Sequence, residues 1–131
     1  MATKGYLIDT NAGIDYLAET MPEKGLSFLD GVIDSGYSIS VISRIELYAY
    51  SKLTKQDKES LDIMTAQASV LNINEAIIEK TIKTRKTYKI KLPDAIIAAT
   101  AMVYDFTMIS RNLKDFKNIT DLVVVNPHDL L

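Results

Sequence analysis

The chain of 131 residues contains no cysteine, which excludes disulfides, thiolate metal sites and cysteine nucleophiles together. Histidine is almost as scarce. His128 is the single one, so any Ser-His-Asp triad would depend on a residue near the C-terminus. Long apolar runs are missing too. The longest charge-free apolar stretch lies between Asp94 and Asp105, too short to span a bilayer. The first apolar run ends at Asp9, without the pattern of a signal peptide. A cytoplasmic protein with no membrane segment is expected. A large excess of either charge is also lacking. The net charge of -2 argues against broad, nonspecific coating of nucleic acid and leaves room for a local basic surface. With no P-loop and no Gly-x-Gly-x-x-Gly, nucleotide-cofactor chemistry has no motif to rest on. No internal repeat, linker or low-complexity segment interrupts the chain. Length and apolar content fit one domain, residues 1–131, with a real core.

What is present is organised around Gly5-Tyr6-Leu7-Ile8-Asp9-Thr10-Asn11. Tyr6-Leu7-Ile8 reads as a strand buried on both faces. Asp-Thr-Asn then suits a strand-to-helix turn, with Asn11 or Thr10 as cap of a helix through Leu17. A second helix starts at Met21-Pro22-Glu23 and ends at Ser35-Gly36, with Leu26, Leu29 and Ile33 in its buried stripe. Tyr37–Ile42 is strand-like, and Leu47–Tyr50 continues as helix. Lys55–Ala66 is helical, Val70–Ile73 a strand, and Asn74 caps a helix over Glu75–Tyr88 that turns Ile77, Ile78, Thr81 and Ile82 inward. Leu92-Pro93-Asp94 opens the most apolar helix, Ala95–Tyr104, whose alanines permit close approach to a sheet. Phe106–Ile109 is a strand, Ser110-Arg111-Asn112 a turn, and Leu122–Val125 a last strand. Strands alternating with helices imply parallel pairing and an α/β sandwich.

Carboxylates recur at the junctions. Asp9 follows the first strand, Glu46 the strand ending near Ile42, and Asp115 the strand ending at Ile109; Asp94 opens a helix. Each has an ordinary structural explanation. Ser43 and Glu46 have the spacing of a capping box. Asp94 suits the dipole of a first helical turn. Asp9 and Asp115 suit turns. Taken together those explanations weaken, because four acids at one sheet edge repel. At an effective dielectric near 20, a pair about 5 Å apart costs on the order of 3 kcal/mol. Protons or cations must then lie between them. An all-oxygen set is the ligand chemistry of Mg²⁺ or Mn²⁺. Metal held by acids, without a cysteine or histidine nucleophile, suits phosphodiester hydrolysis by water.

Four segments carry a resemblance: Leu7-Ile8-Asp9-Thr10-Asn11, Ser43-Arg44-Ile45-Glu46-Leu47, Leu92-Pro93-Asp94 through Ala101, and Ser110-Arg111-Asn112-Leu113-Lys114-Asp115-Phe116. In these and in size the chain resembles PIN-domain ribonucleases, and among them the VapC-type toxins of VapBC toxin–antitoxin modules. The first motif alone is weak; four in order at these spacings are strong. The resemblance implies a parallel five-stranded sheet, order 3-2-1-4-5, flanked by helices on both faces. It implies that Asp9, Glu46, Asp94 and Asp115 hold Mg²⁺ or Mn²⁺. Thr10, Asn11, Ser110 and Asn112 match polar positions that orient the acids or the attacking water. Ser110 stands where the family often has threonine and keeps the oxygen. Activity on RNA, often a structured transfer or ribosomal RNA, and control by a VapB-type antitoxin follow from the same resemblance, as does a homodimer.

Other acids, Asp15, Asp30, Asp34, Asp57, Asp62, Asp105 and Asp121, read as helix-face or loop residues away from the strand edge, and His128 as a surface residue. Arg111 is the candidate for a charge near the scissile phosphate, with pairing to a site carboxylate as the other option. Lys80, Lys83, Arg85, Lys86, Lys89 and Lys91 form either a solvated helix face or a track for an RNA backbone. Tyr16, Tyr48 and Tyr50 suit partial core burial, base stacking or contact with an antitoxin helix. A PIN-like module that binds RNA or protein without cutting is the alternative function, but it has no need of four converging acids. A phosphotransfer receiver would want paired acids after the first strand and a lysine after the last core strand. A dehalogenase-type phosphatase would want Asp-x-Asp, where Asn11 stands.

Overall fold

The computed structural model describes residues 5–130. Five short strands make one parallel sheet: β1 (Tyr6–Ile8), β2 (Ser38–Ser40), β3 (Ser69–Leu71), β4 (Thr107–Ile109) and β5 (Val124–Val125). Their order is β3-β2-β1-β4-β5, as the resemblance implied. The helices are α1 (Thr10–Leu17), α2 (Glu23–Ser35), α3 (Val41–Tyr48), α4 (Lys55–Gln67), α5 (Glu75–Thr87), α6 (Leu92–Tyr104) and α7 (Leu113–Phe116), and a 3₁₀ turn spans Pro127–Asp129. In register, Leu7 lies beside Met108 and Ile8 beside Ile109. Successive strand residues face opposite sides of a sheet. Leu7 and Met108 therefore enter one core with Ile97, Ala98, Ala101 and Phe116. Ile8 and Ile109 enter the other, with Leu29, Val32, Ile39, Leu61 and Met64.

The register also sets the functional edge. β1 and β4 end level, so Asp9 and Ser110 emerge side by side, and the Asp9 N–H donates to the Ile109 carbonyl at 2.9 Å. α6 reaches the same edge from its own N-terminus. Ala95, Ala98, Ala99 and Ala101 on α6 are wholly buried; side chains this small let the helix lie close to the sheet. Pro93 starts it, and Asp105, in the left-handed conformation, ends it.

Several elements differ in detail from the expectation. β2 stops at Ser40 because the Ser40 hydroxyl accepts the Ile42 N–H and caps α3, which claims Val41 and Ile42. α1 is capped by Asp9 itself, through the Thr10 N–H, rather than by Thr10 or Asn11. α5 is rotated: Ile77 is buried, but Ile78 and Ile82 are 42% and 51% exposed. Thr81 and Thr84 take the inward face, their hydroxyls satisfied by the carbonyls of Ile77 and Lys80. A satisfied hydroxyl can be buried cheaply, and the smaller side chain lets α5 pack closely on α6. α7 had no counterpart in the sequence reading.

Candidate active site

Asp9 is 4% exposed. Its Oδ2 accepts from the Ser110 hydroxyl at 2.8 Å and its Oδ1 from the Thr10 N–H at 2.8 Å. Burial pushes its pKa up to about 6; the two hydrogen bonds oppose that rise, and the charges of Asp94 and Glu46 add to it. Ser110 is a hub. It donates to Asp9 and accepts from the Asn112 N–H at 3.0 Å and from Asn11 Nδ2 at 3.4 Å.

Glu46 lies late in α3, half-buried, and its Oε1 accepts from the Thr10 hydroxyl at 2.7 Å. Ser43 Oγ is 3.1 Å from the same hydroxyl. Thr10 has one proton to give. The shorter, charge-assisted bond to Glu46 takes it, and Ser43 donates back. The capping-box explanation of Ser43 and Glu46 is thereby set aside: Ser40 is the cap, and Glu46 turns toward α1.

Asp94 sits in the first turn of α6, half-buried. Its pKa is raised by desolvation first, then by the charges of Glu46 and Asp115, against a smaller lowering by Lys91. Among the described residues its carboxylate has no hydrogen-bond partner. Asp115, exposed on α7, is held by Asn112 Nδ2 at 2.8 Å. Charge thus links Asp9 to Asp94 and Glu46, and Asp94 to Glu46 and Asp115. Among the described residues no lysine or arginine pairs with any of them.

Among the described residues no three of these carboxylates converge tightly enough to close on an ion. Their hydrogen bonds explain part of the spacing, since Glu46 is drawn to Thr10 and Asp115 to Asn112. The donor set still fits a hard divalent cation. It is all oxygen and mutually repelling, among the described residues no lysine or arginine pairs with it, and its four members stand at one edge.

Two sequence expectations are corrected here. Arg111 pairs with none of the four acids; its Nη1 lies 3.5 Å from Asp15 Oδ1. Asp15 lies on a helix, as expected, but is buried, and His128 is not a free surface residue. Asp15 is 6% exposed and lies 3.0 Å from His128 Nε2. The pairing joins residues from opposite ends of the chain, and the one available hint was that Asp15 falls four residues after Asn11, on the same helix face.

The tyrosines fall between core and surface. Tyr16 and Tyr48 are half-buried with their hydroxyls on Asp30 and Asp62, and Tyr50 is exposed. Among the described residues no helix is long and apolar enough to cross a membrane.

The PIN domain family model matches residues 6–122. A search of curated proteins gives no significant match. Solved structures do match. A toxin–antitoxin complex from Klebsiella pneumoniae is 30% identical, over 96% of this chain and 100% of that one, with a TM-score of 0.72. The VapBC-1 structure from nontypeable Haemophilus influenzae is 27% identical, over 93% and 97%, with a TM-score of 0.76. VapBC2 from Rickettsia felis, bound to a promoter DNA fragment, is 24% identical, over 92% and 97%, and shares the fold with a TM-score of 0.79. With the family model covering most of its length and the strand order that its motifs implied, the chain belongs to the PIN-domain family.

Proposed function

We propose that this protein is a divalent-metal-dependent endoribonuclease and the toxin of a toxin–antitoxin module. The observation that carries the reading is the set Asp9, Glu46, Asp94 and Asp115, linked in charge through Asp94 and, among the described residues, paired with no lysine or arginine. Asp9, Glu46 and Asp94 would hold Mg²⁺ or Mn²⁺, and Asp115 would complete the set or position water. The ion would supply activation of water and stabilisation of charge on the phosphate. The chain's own polar groups do the rest. Ser110 fixes Asp9, Thr10 fixes Glu46, and Asn112 fixes Asp115. Asn11 steadies the loop by accepting the Arg111 N–H at 3.0 Å. A carboxylate held by such bonds keeps its remaining lone pairs aimed, the usual task of groups behind metal ligands.

The relatives that are toxin–antitoxin complexes support the partner. A groove of about 420 Å³ between α1, α2 and α4, lined by Tyr16, Leu17, Leu26, Ile33 and Ile63, suits an antitoxin segment. Exposed Ile82 and Val103, on α5 and α6, suit a second copy in a homodimer. The deciding experiment incubates the purified protein with labelled structured RNA and Mg²⁺ or Mn²⁺. Attack by water leaves a 5′-phosphate and a 3′-hydroxyl, and EDTA and Asp94→Asn both stop it. Products with a 2′,3′-cyclic phosphate, or cutting that persists in EDTA, would refute the reading.

A further inference from the structure

Among the described residues no lysine or arginine pairs with the four acids, although a permanent cation sits in their own loop. Arg111 lies between Ser110, which bonds Asp9, and Asn112, which bonds Asp115. Its guanidinium turns to neither acid. The reason lies in α1. Asn11 and Asp15 are four residues apart and therefore share a helix face. Asn11 Oδ1 takes the Arg111 backbone N–H at 3.0 Å, and Asp15, one turn further along, takes the guanidinium. The arginine is laid along the helix, away from Asp9 at the helix start.

Asp15 is anchored independently of Arg111. His128 Nε2 lies at 3.0 Å and the Thr20 hydroxyl at 3.4 Å. His128 belongs to the 3₁₀ turn, where its N–H donates to Asn126 Oδ1 at 2.9 Å. That turn is wedged on α2: the Pro127 carbonyl oxygen lies 2.4 Å from where a side chain on Gly25 would begin. Asn126 Nδ2 also reaches the Arg111 carbonyl at 3.4 Å. The holder is rigid, while the guanidinium that it holds is half exposed and free to move if released.

We propose that Asp15 is a positioning residue that keeps the Arg111 guanidinium out of the acidic site, leaving the space among the four acids to a divalent cation. The inference rests on the metal-site reading above. Arginine does not lose its proton in proteins. Unneutralised carboxylates attract it, and Asp9 is bonded to its immediate neighbour in the chain. Without Asp15 no other acid on that face of α1 competes for it. The arginine would then turn to the acids, occupy the oxygens that an ion needs and oppose the ion's charge.

Calorimetric titration of Mn²⁺ into the full chain tests this with no RNA and no catalysis. Asp15→Asn is expected to weaken Mn²⁺ binding about tenfold, the scale set by one added positive charge near a divalent ion. Arg111→Ala is expected to bind at least as tightly as wild type. The double variant Asp15→Asn/Arg111→Ala should recover the affinity of Arg111→Ala, and Asp15→Glu, which keeps the charge, should resemble wild type. If Asp15→Asn does not fold, Asp15→Ser carries the same expectation. A double variant as weak as Asp15→Asn would show that Asp15 acts only through the fold, and unchanged binding in Asp15→Asn would equally overturn the proposal. Wild type that binds no Mn²⁺ would refute the metal-site reading and this inference with it; wild type that binds normally while either other result appears refutes the inference alone.

Discussion

Two buried aspartates lie on or beside the same short helix and meet opposite fates. Asp9 caps the start of α1 and faces Glu46 and Asp94, with hydroxyl and amide donors and, among the described residues, no paired cation. Asp15, six residues on, is equally buried and is met by His128 and Arg111. A buried charge with partners is a structural tie. A buried charge left among like charges is destabilising, and its presence calls for a ligand. Burial alone does not separate the two; what stands opposite the carboxylate does.

The comparison breaks most visibly in activity. Asp94→Asn or Asp9→Asn should lower RNA cleavage by at least about 10³-fold, on the scale of a lost electrostatic group in a reacting site, while leaving circular dichroism unchanged. Cleavage within tenfold of wild type would remove that acid from the site.

The next effect is a pH dependence led by Asp9, to which Asp94, raised in the same direction, adds. The pKa of Asp9 rises from 3.8 in the unfolded chain to about 6 in the fold. The folded state therefore holds the proton more tightly, and stability falls as pH rises through that window. Below about 4 both states are protonated and no penalty exists; above about 6 it is complete, on the order of 3 kcal/mol. Urea titrations in EDTA from pH 4 to 7 should show this decline, and Asp9→Asn should make it shallower. A wild-type profile that rises over the same range would reverse the reading of Asp9.

Asp15 should behave with the opposite sign. Asp15→Ala strips His128 and Arg111 of their shared partner and should cost about 2 kcal/mol in metal-free buffer, less than a fully buried pair because Arg111 is 56% exposed. Smaller again is Ser110→Ala, which leaves Asp9 short of one donor. A tenfold fall in cleavage, equal to about 1.4 kcal/mol, is expected, with Ser110→Thr restoring most of it. The smallest change lies at the neighbouring strand end. Ser40→Ala removes the cap of α3, the helix that carries Glu46, at the end of β2 beside β1, and should lower stability by about 1 kcal/mol, with cleavage reduced less than in Ser110→Ala.

The fold could be read from the chain because its main signals are local. Tyr6-Leu7-Ile8 and Met108-Ile109 are short apolar runs that end in polar turns, and Asn74 and Pro93 mark helix starts. The acids stood out because each follows or opens such an element. The rotation of α5 could not be read, because Ile78 and Thr81 fit an inward face equally well until the alanines of α6 demand the smaller side chain. The end of β2 was hidden by Ser40, whose role as a cap depends on where the strand stops. The pairing of Asp15 with His128 spans 113 positions, with no periodicity to announce it.

The bond between Ser110 and Asp9 closes a loop of 101 positions around the central strand. During synthesis β1 emerges early and must wait for β4, its neighbour in the sheet, to be made. Contacts so distant in sequence form late, after the cost of closing the loop has been met. Until the segment from Ser110 to Asp115 has been translated, Asp9 lacks its orienting hydroxyl and the acid set lacks a member. A nascent chain therefore carries an unfinished site until β4 and the segment after it have been made. Its own translation order withholds the assembled site over the 101 positions that separate Asp9 from Ser110.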